Sequence, residues 1–184
     1  MWTNLTKDQP CVTKISECSS HECQKEIRNI SVLGVNHQII HKKGFMCLEE
    51  ALHHNFQIKN VKCQRSECPG RRTEYAKFNL HLYIELDIRV SLDANTGISC
   101  QLKDFPITIN ILKQEYRLAG VIAYTSQHYI AYTRRIYGTW RIYNDLMKSK
   151  QYCNEEKKIE PHAAIYIIII VLTTNTREWT TKHQ

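Results

Sequence analysis

Eight cysteines stand in a chain of 184 residues, and spacing divides them into two groups. Cys18-Ser-Ser-His-Glu-Cys23 and Cys63-Gln-Arg-Ser-Glu-Cys68 are two copies of one knuckle, each with four residues between its cysteines. A knuckle is a turn that carries two soft sulfur donors, and two such turns brought together offer four thiolates to one tetrahedral Zn²⁺. Four protein thiolates leave no open coordination position for water or substrate, so such a site is structural and ties strand ends together. Disulfides are the rival reading of an even cysteine count, aided by the Asn4-Leu5-Thr6 and Asn29-Ile30-Ser31 glycosylation sequons. No basic-then-apolar cleavage pattern opens the sequence, which favours metal over disulfides. His21 lies inside the first knuckle and is an alternative ligand. Cys11, Cys47, Cys100 and Cys153 have no matching spacing and are expected as buried small hydrophobes.

A second set of residues could do acid–base work. Tyr124 to Arg134 and Trp140 to Asp145 flank Arg135-Ile136-Tyr137-Gly138, which predicts a hairpin. A hairpin centred on Ile136 sets Tyr132 opposite Trp140, Ile130 opposite Ile142 and His128 opposite Asn144. Directly opposed residues have Cβ atoms about 4.5–5.5 Å apart. Asn144 would then accept from the imidazole Nδ1–H and leave Nε2 as a base. That is the base and its orienting partner from a Cys-His-Asn arrangement. A slip of one residue in register would put the pair on opposite faces.

The elements that must position these residues are mostly strands. Leu48, Ala51, Leu52 and Phe56 form a helical stripe, and Asn29 to Ile40 reads as strand with a break near Gly34. From Leu80 to Leu92 apolar and polar residues alternate for thirteen positions, which predicts one long half-buried strand or two with a bend, before a turn at Asp93 to Gly97. Alternation resumes at Ile107, Ile109 and Ile111, and strands are expected at Tyr116–Tyr124, Tyr129–Arg134, Trp140–Tyr143 and Ala163–Leu172. The last of these holds the isoleucine run, read as a central strand buried on both faces. At ten residues it is well short of the roughly 18–20 that cross a bilayer. Apolar residues at 42% and charged residues at 23% exclude a disordered or collagen-like chain, and 6 Gly with 4 Pro exclude a flexible linker. The expected class is α+β, an antiparallel sheet with a zinc-tied extension.

These residues resemble the C-terminal portion of the ubiquitin-specific proteases, the papain-like deubiquitinases. The His box of that family has a Tyr-x-Leu strand, a Gly-His-Tyr with further aromatics, then Arg, Trp and Asn/Asp-Asp. This sequence has Tyr116-Arg117-Leu118, His128-Tyr129, Ala131-Tyr132, Arg134, Trp140 and Tyr143-Asn144-Asp145. The paired knuckles resemble the family's zinc-binding fingers, Cys47 to Phe56 the helix between them, and Ala163-Ala164-Ile165-Tyr166 the strand closing the palm. The resemblance runs over about residues 15–172 in the family's order. It implies a fingers-like zinc-binding region with one helix over 1–75 and a palm-like sheet carrying the His box over 76–184. It also implies that Cys18, Cys23, Cys63 and Cys68 hold structural zinc, that His128 is the general base, that Asn144 orients it, and that Asp145 supports the pair.

Departures from the family are equally specific. No Gly-x-x-Asn-x-Gly-Asn-Thr-Cys box occurs in these 184 residues, and Cys11 lacks the flanking Gly and Asn. Gln127 stands where the family has the Gly before its histidine, and Leu86-Asp87-Ile88-Arg89 replaces its Leu-Lys-Arg-Phe. The expectation is therefore a partial papain-like cysteine-protease fold without the helical thumb: a truncated or degenerate deubiquitinase, inactive alone. The alternatives are a non-catalytic ubiquitin-binding module and a basic zinc protein that binds nucleic acid. The balance of 25 Lys and Arg against 18 Asp and Glu gives a net charge of +7. That charge leans toward an acidic partner, although no Lys/Arg run reaches five residues. The order of motifs favours ubiquitin or a ubiquitinated protein over nucleic acid, with no membrane partner, in the cytoplasm or nucleus.

Overall fold

The computed structural model describes residues 8–56, 58–89, 97–125, 128–149 and 151–170. Two β-hairpins build the first sheet. β1 (Val12–Cys18) pairs with β2 (Glu26–Ile30), and β3 (Lys59–Lys62) pairs with β4 (Arg71–Phe78). β1 and β4 run antiparallel side by side, from Val12 opposite Phe78 to Cys18 opposite Arg72, giving the order β2-β1-β4-β3. This pairing brings both hairpin loops, each with a knuckle, to the same end of the sheet.

Between the hairpins lie α1 (His37–Lys43) and α2 (Leu48–Ala51), with single 3₁₀ turns at Phe45–Cys47 and His53–Asn55. The strand expected from Asn29 to Ile40 therefore ends at Ile30, and Ile39 and Ile40 belong to a helix. The cause is local. Asn36 caps the helix, its Oδ1 accepting from the amides of Gln38 at 3.0 Å and Ile39 at 3.4 Å, which outweighs the β-branched composition. The stripe Leu48, Ala51, Leu52 is buried as expected, and Phe56 meets Phe78 edge-on with centroids 5.0 Å apart.

The second sheet begins with β5 (His81–Glu85). After β6 (Cys100–Gln101) come β7 (Thr108–Ile111), β8 (Gln114–Thr125), β9 (His128–Arg134), β10 (Trp140–Tyr143), β11 (Gln151–Cys153), β12 (Lys158–Ile159) and β13 (Pro161–Ile168). Seven strands form one sheet in the order β11-β10-β9-β8-β13-β5, with β7 also on β8, while β6 and β12 pair separately. β8 is the spine. Twelve residues long, it carries β13 on one edge and β7 and β9 on the other, all antiparallel. Period-two alternation puts Tyr116 and Leu118 into the core, and a bulge between Leu118 and Gly120 resets the phase to bury Val121 and Ala123, beside Leu82, Ile84, Ile109, Ile111 and Tyr166. Burying each Leu or Ile of this set stabilises by about 1.5–3 kcal/mol. The core is continuous with Val12 and Phe78 of the first sheet, and the expected division between 75 and 76 falls within β4.

Two strand expectations change in extent. Leu82, Ile84, Leu86 and Ile88 are buried on one side as the alternation predicts, yet pairing stops at Glu85. There the amide of Ile88 donates to the carbonyl of Leu86 at 2.6 Å, a tight turn that takes the chain out of the sheet. Val90, Leu92 and the turn at Asp93–Thr96 lie outside the described residues. β13 is central, between β8 and β5, but its buried residues are Pro161, Ala163, Ala164 and Tyr166. Ile167, still paired with His81 and Arg117, turns to the outer face and is 42% exposed, and Ile170, past the last β5 partner, is 66% exposed, so the run is not enclosed on both faces. The class is as expected, mostly antiparallel sheet with few short helices. Among the described residues, no helix is long and apolar enough to cross a membrane.

Candidate functional site

The two knuckles meet. The sulfurs of Cys18, Cys23, Cys63 and Cys68 all lie within 4.8 Å of one another. Cys18 and Cys68 are 3.7 Å apart, Cys23 and Cys63 3.9 Å, and Cys23 and Cys68 3.5 Å. Zinc–sulfur bonds of about 2.3 Å in a tetrahedron put sulfurs about 3.8 Å apart, so the donor set fits a structural zinc ion. A disulfide, at about 2.05 Å, does not match these separations. His21 is exposed in the first loop and stands outside the cluster.

Backbone geometry serves the same end. The amide of Ser20 points at Cys18 Sγ at 3.5 Å, and that of Gly70 at Cys68 Sγ at 3.4 Å, a donor to one sulfur of each knuckle. Glu67 takes a left-handed φ of 64° to turn the second loop. Gly70 has to be small, since a Cβ there would lie 2.7 Å from Cys18 Sγ. The Gly70 amide foremost draws the Cys68 thiol down to about 7, while the neighbouring Cys68 foremost pushes Cys23 up to about 11. Arg65 Nη1 lies 3.9 Å from Cys23 Sγ and donates to the carbonyl of Glu22 at 2.7 Å, setting a cation beside the thiolates.

The other cysteines are placed differently. Cys11 is fully buried; its Sγ donates to the Ser31 carbonyl at 2.9 Å and accepts from the Tyr83 amide at 3.1 Å, tying β1 to β5. Cys100 is buried, and desolvation pushes its thiol up to about 12. Cys47 and Cys153 are only half-buried, more open than expected.

The His128 hairpin forms, with a different register. Trp140 faces Arg134, Ile142 faces Tyr132 and Tyr143 faces Ala131, so the turn centres on Tyr137 rather than Ile136. The expected pairs of Tyr132 with Trp140, Ile130 with Ile142 and His128 with Asn144 are thus each displaced by two residues. A shift of two preserves faces but moves Asn144 along the strand from His128. Asn144 Oδ1 accepts from the Leu146 amide at 3.0 Å, closing a turn after β10, and no hydrogen bond joins it to His128. His128 opens β9 opposite Thr125, with a buried Nε2 that has no hydrogen-bond partner among the described residues. Asp145 is exposed, and Gln127 lies outside the described residues. Asn144 and Asp145 line an open groove of about 540 Å³ with Tyr129, Ala131, Tyr143 and Lys148. Sequence reasoning singled out Asn144 and Asp145 but not the groove that they line.

A SAGA DUB module of Ubp8, Sgf11, Sus1 and Sgf73 bound to monoubiquitin matches 88% of this chain with a TM-score of 0.54 and 17% identity. The fold is similar to that of a DUB module. Another Ubp8/Sgf11/Sus1/Sgf73 DUB module matches 91% with a TM-score of 0.54 and 18% identity, and a yeast SAGA DUB module matches 88% with a TM-score of 0.53 and 18% identity. The chain spans less than half of each, 41%, 42% and 42% respectively. In sequence, it is 32% identical over 98 residues to a 120.7 kDa protein in the NOF-FB transposable element of Drosophila melanogaster, a match covering 46% of this chain and 9% of that protein. No family model matches.

Proposed function

We propose that this chain is the fingers and palm of a ubiquitin-specific-protease-type fold, a degenerate or partial deubiquitinase whose remaining function is to bind ubiquitin or a ubiquitinated protein. The observation that carries the reading is the DUB-like fold, with the four-cysteine cluster on one sheet and the His128 strand on the other. In this reading residues 1–75 are the fingers-like region, and 76–184 the palm-like region. Cys18, Cys23, Cys63 and Cys68 hold zinc, which supplies no chemistry beyond locking the two hairpin loops together.

His128 is the general base of the inherited site, Asn144 its orienting partner and Asp145 a supporting polar group. The buried, unpartnered Nε2 of His128 supports the first role, since a thiol proton could be received there. The Asn144 turn requires that its side chain leave Leu146 before it can orient His128. None of the described cysteines matches the family's nucleophile motif, and Cys11 and Cys100 are buried. A thiolate supplied from outside these residues would attack the isopeptide carbonyl at ubiquitin's C-terminal Gly, and His128 would protonate the departing lysine amine.

The test is hydrolysis of a ubiquitin C-terminal fluorogenic amide by residues 1–184. No release of fluorophore is expected. Release that disappears in His128→Ala would overturn the inactive assignment and make the chain a working protease.

A further inference from the structure

Strand alternation turns half of the side chains of β8 to β11 away from the core. On that outer face Tyr124 lies opposite Tyr129, Tyr143 opposite Ala131, and Arg141 opposite Tyr152. Residues two apart share a face, so four tyrosines on four neighbouring strands form one stripe. They are 45%, 52%, 38% and 66% exposed in chain order. The rings of Tyr124 and Tyr129 lie 5.0 Å apart. The Arg141 guanidinium sits 5.2 Å over the Tyr152 ring while its Nη2 donates to the Tyr152 hydroxyl at 3.1 Å.

The same face carries donors whose partners are missing. Arg141 Nε, Arg117 Nε and Thr133 Oγ1 are buried and have no hydrogen-bond partner among the described residues. Arg117 faces Ile167 and Thr133 faces Gly120, which puts both on the tyrosine side of the sheet. Two guanidinium groups and a hydroxyl on one face favour a ligand rich in acceptors. Arg141 already donates to the Tyr152 hydroxyl, and an apolar polypeptide would offer the two guanidinium groups no counter-charge. A chain of phosphates would meet them, and flat bases would stack on the tyrosine rings. Asp145 lines the groove on this face, offset by Lys148, and the net charge of +7 favours a polyanion.

We propose that this sheet face binds single-stranded nucleic acid, bases stacking along Tyr124, Tyr129, Tyr143 and Tyr152 and phosphates meeting Arg117 and Arg141. The mode needs no nucleophile, shares the groove of Tyr129, Tyr143, Asn144 and Asp145 with the site described above, and tolerates any base sequence because every base has a π-face.

Fluorescence anisotropy of labelled oligo-dT and oligo-U with the full chain tests it, with a duplex of equal length beside them. The single strands should bind about tenfold more tightly than the duplex, and their affinity should fall roughly tenfold between about 50 and about 200 mM salt. Tyr152→Ala should weaken binding about tenfold without lowering the melting temperature, while Tyr152→Phe keeps the ring and the binding. Absence of binding at low salt, equal affinity for duplex, or unchanged binding by Tyr152→Ala would each overturn the proposal. So would an unmutated chain that binds monoubiquitin but no oligonucleotide and loses the monoubiquitin in Tyr152→Ala, which would make the face a polypeptide site.

Discussion

Gly70 is where the account of the cysteine cluster is most exposed to experiment. An alanine Cβ there would sit 2.7 Å from Cys18 Sγ, 3.0 Å from Ser19 Oγ and 3.1 Å from the Ser20 amide nitrogen. The Ser19 hydroxyl can rotate away, but the sulfur and the backbone amide cannot. Restoring ordinary contact requires Cys18 Sγ to move by about 0.7 Å, beyond the ~0.2 Å tolerance of a zinc–sulfur bond. Overpacking of this kind costs about 1–3 kcal/mol. Charged to the metal-bound state, that is roughly 5- to 150-fold weaker zinc binding. Gly70 has no positive φ, so the backbone accepts alanine and the contact alone is tested. Zinc affinity would be read by competition with a chromogenic chelator, and stability by thermal melting with and without EDTA. Gly34→Ala is the control, since nothing lies within 4 Å of its added Cβ. Weakened zinc binding in Gly70→Ala with none in Gly34→Ala is expected. Equal affinity in both would refute the proposed packing of the knuckles.

Removing a ligand outright, Cys63→Ser, should abolish stoichiometric zinc in mass spectrometry of the native protein and make melting insensitive to EDTA. Gly120→Ala should lower stability by about 1–3 kcal/mol in urea titration, because its Cβ would lie 2.6 Å from the Tyr132 carbonyl oxygen across the β8–β9 pair. Asn36→Ala removes the cap of α1 and should cost about 1 kcal/mol, whereas Asn36→Asp should not. Burial raises the Cys100 pKa from 9.0 to about 12, so the folded chain keeps a proton that the unfolded chain releases above about pH 9. That contribution is present below pH 9 and is lost as pH rises toward 12, with a slope up to about 1.4 kcal/mol per pH unit that Cys100→Ala should remove from urea melts.

What could be read from the sequence was whatever depends on short spacing. The paired knuckles were legible because four intervening residues fix a turn and its two donors, and the sheet pairing only had to bring the ends together. The strand face at 82–88 was legible because burial follows a period of two, whereas on β8 a bulge after Leu118 moves burial from 116 and 118 to 121 and 123. Strand ends were not, since the tight Leu86–Ile88 turn leaves no mark on the alternation. The His128 register failed for a related reason. Gly138 takes a φ of 89° late in the loop, and the Arg135 amide pairs with the Thr139 carbonyl, which centres the hairpin one residue further on than Ile136. One residue at the turn is two in the register, enough to part His128 from Asn144 and to set Tyr143 opposite Ala131 instead of Tyr129. α1 was missed because Ile39 and Ile40 suggested a strand, while the cap at Asn36 decided the matter.

The claim that binding remains where the nucleophile motif is absent is tested most directly by titrating this chain into isotope-labelled monoubiquitin and following its amide resonances by NMR. The account predicts saturable shifts on one contiguous face of ubiquitin, retained in His128→Ala and lost when EDTA strips the metal. A ubiquitin spectrum unchanged at excess chain, with the protein folded and zinc-loaded, would contradict it.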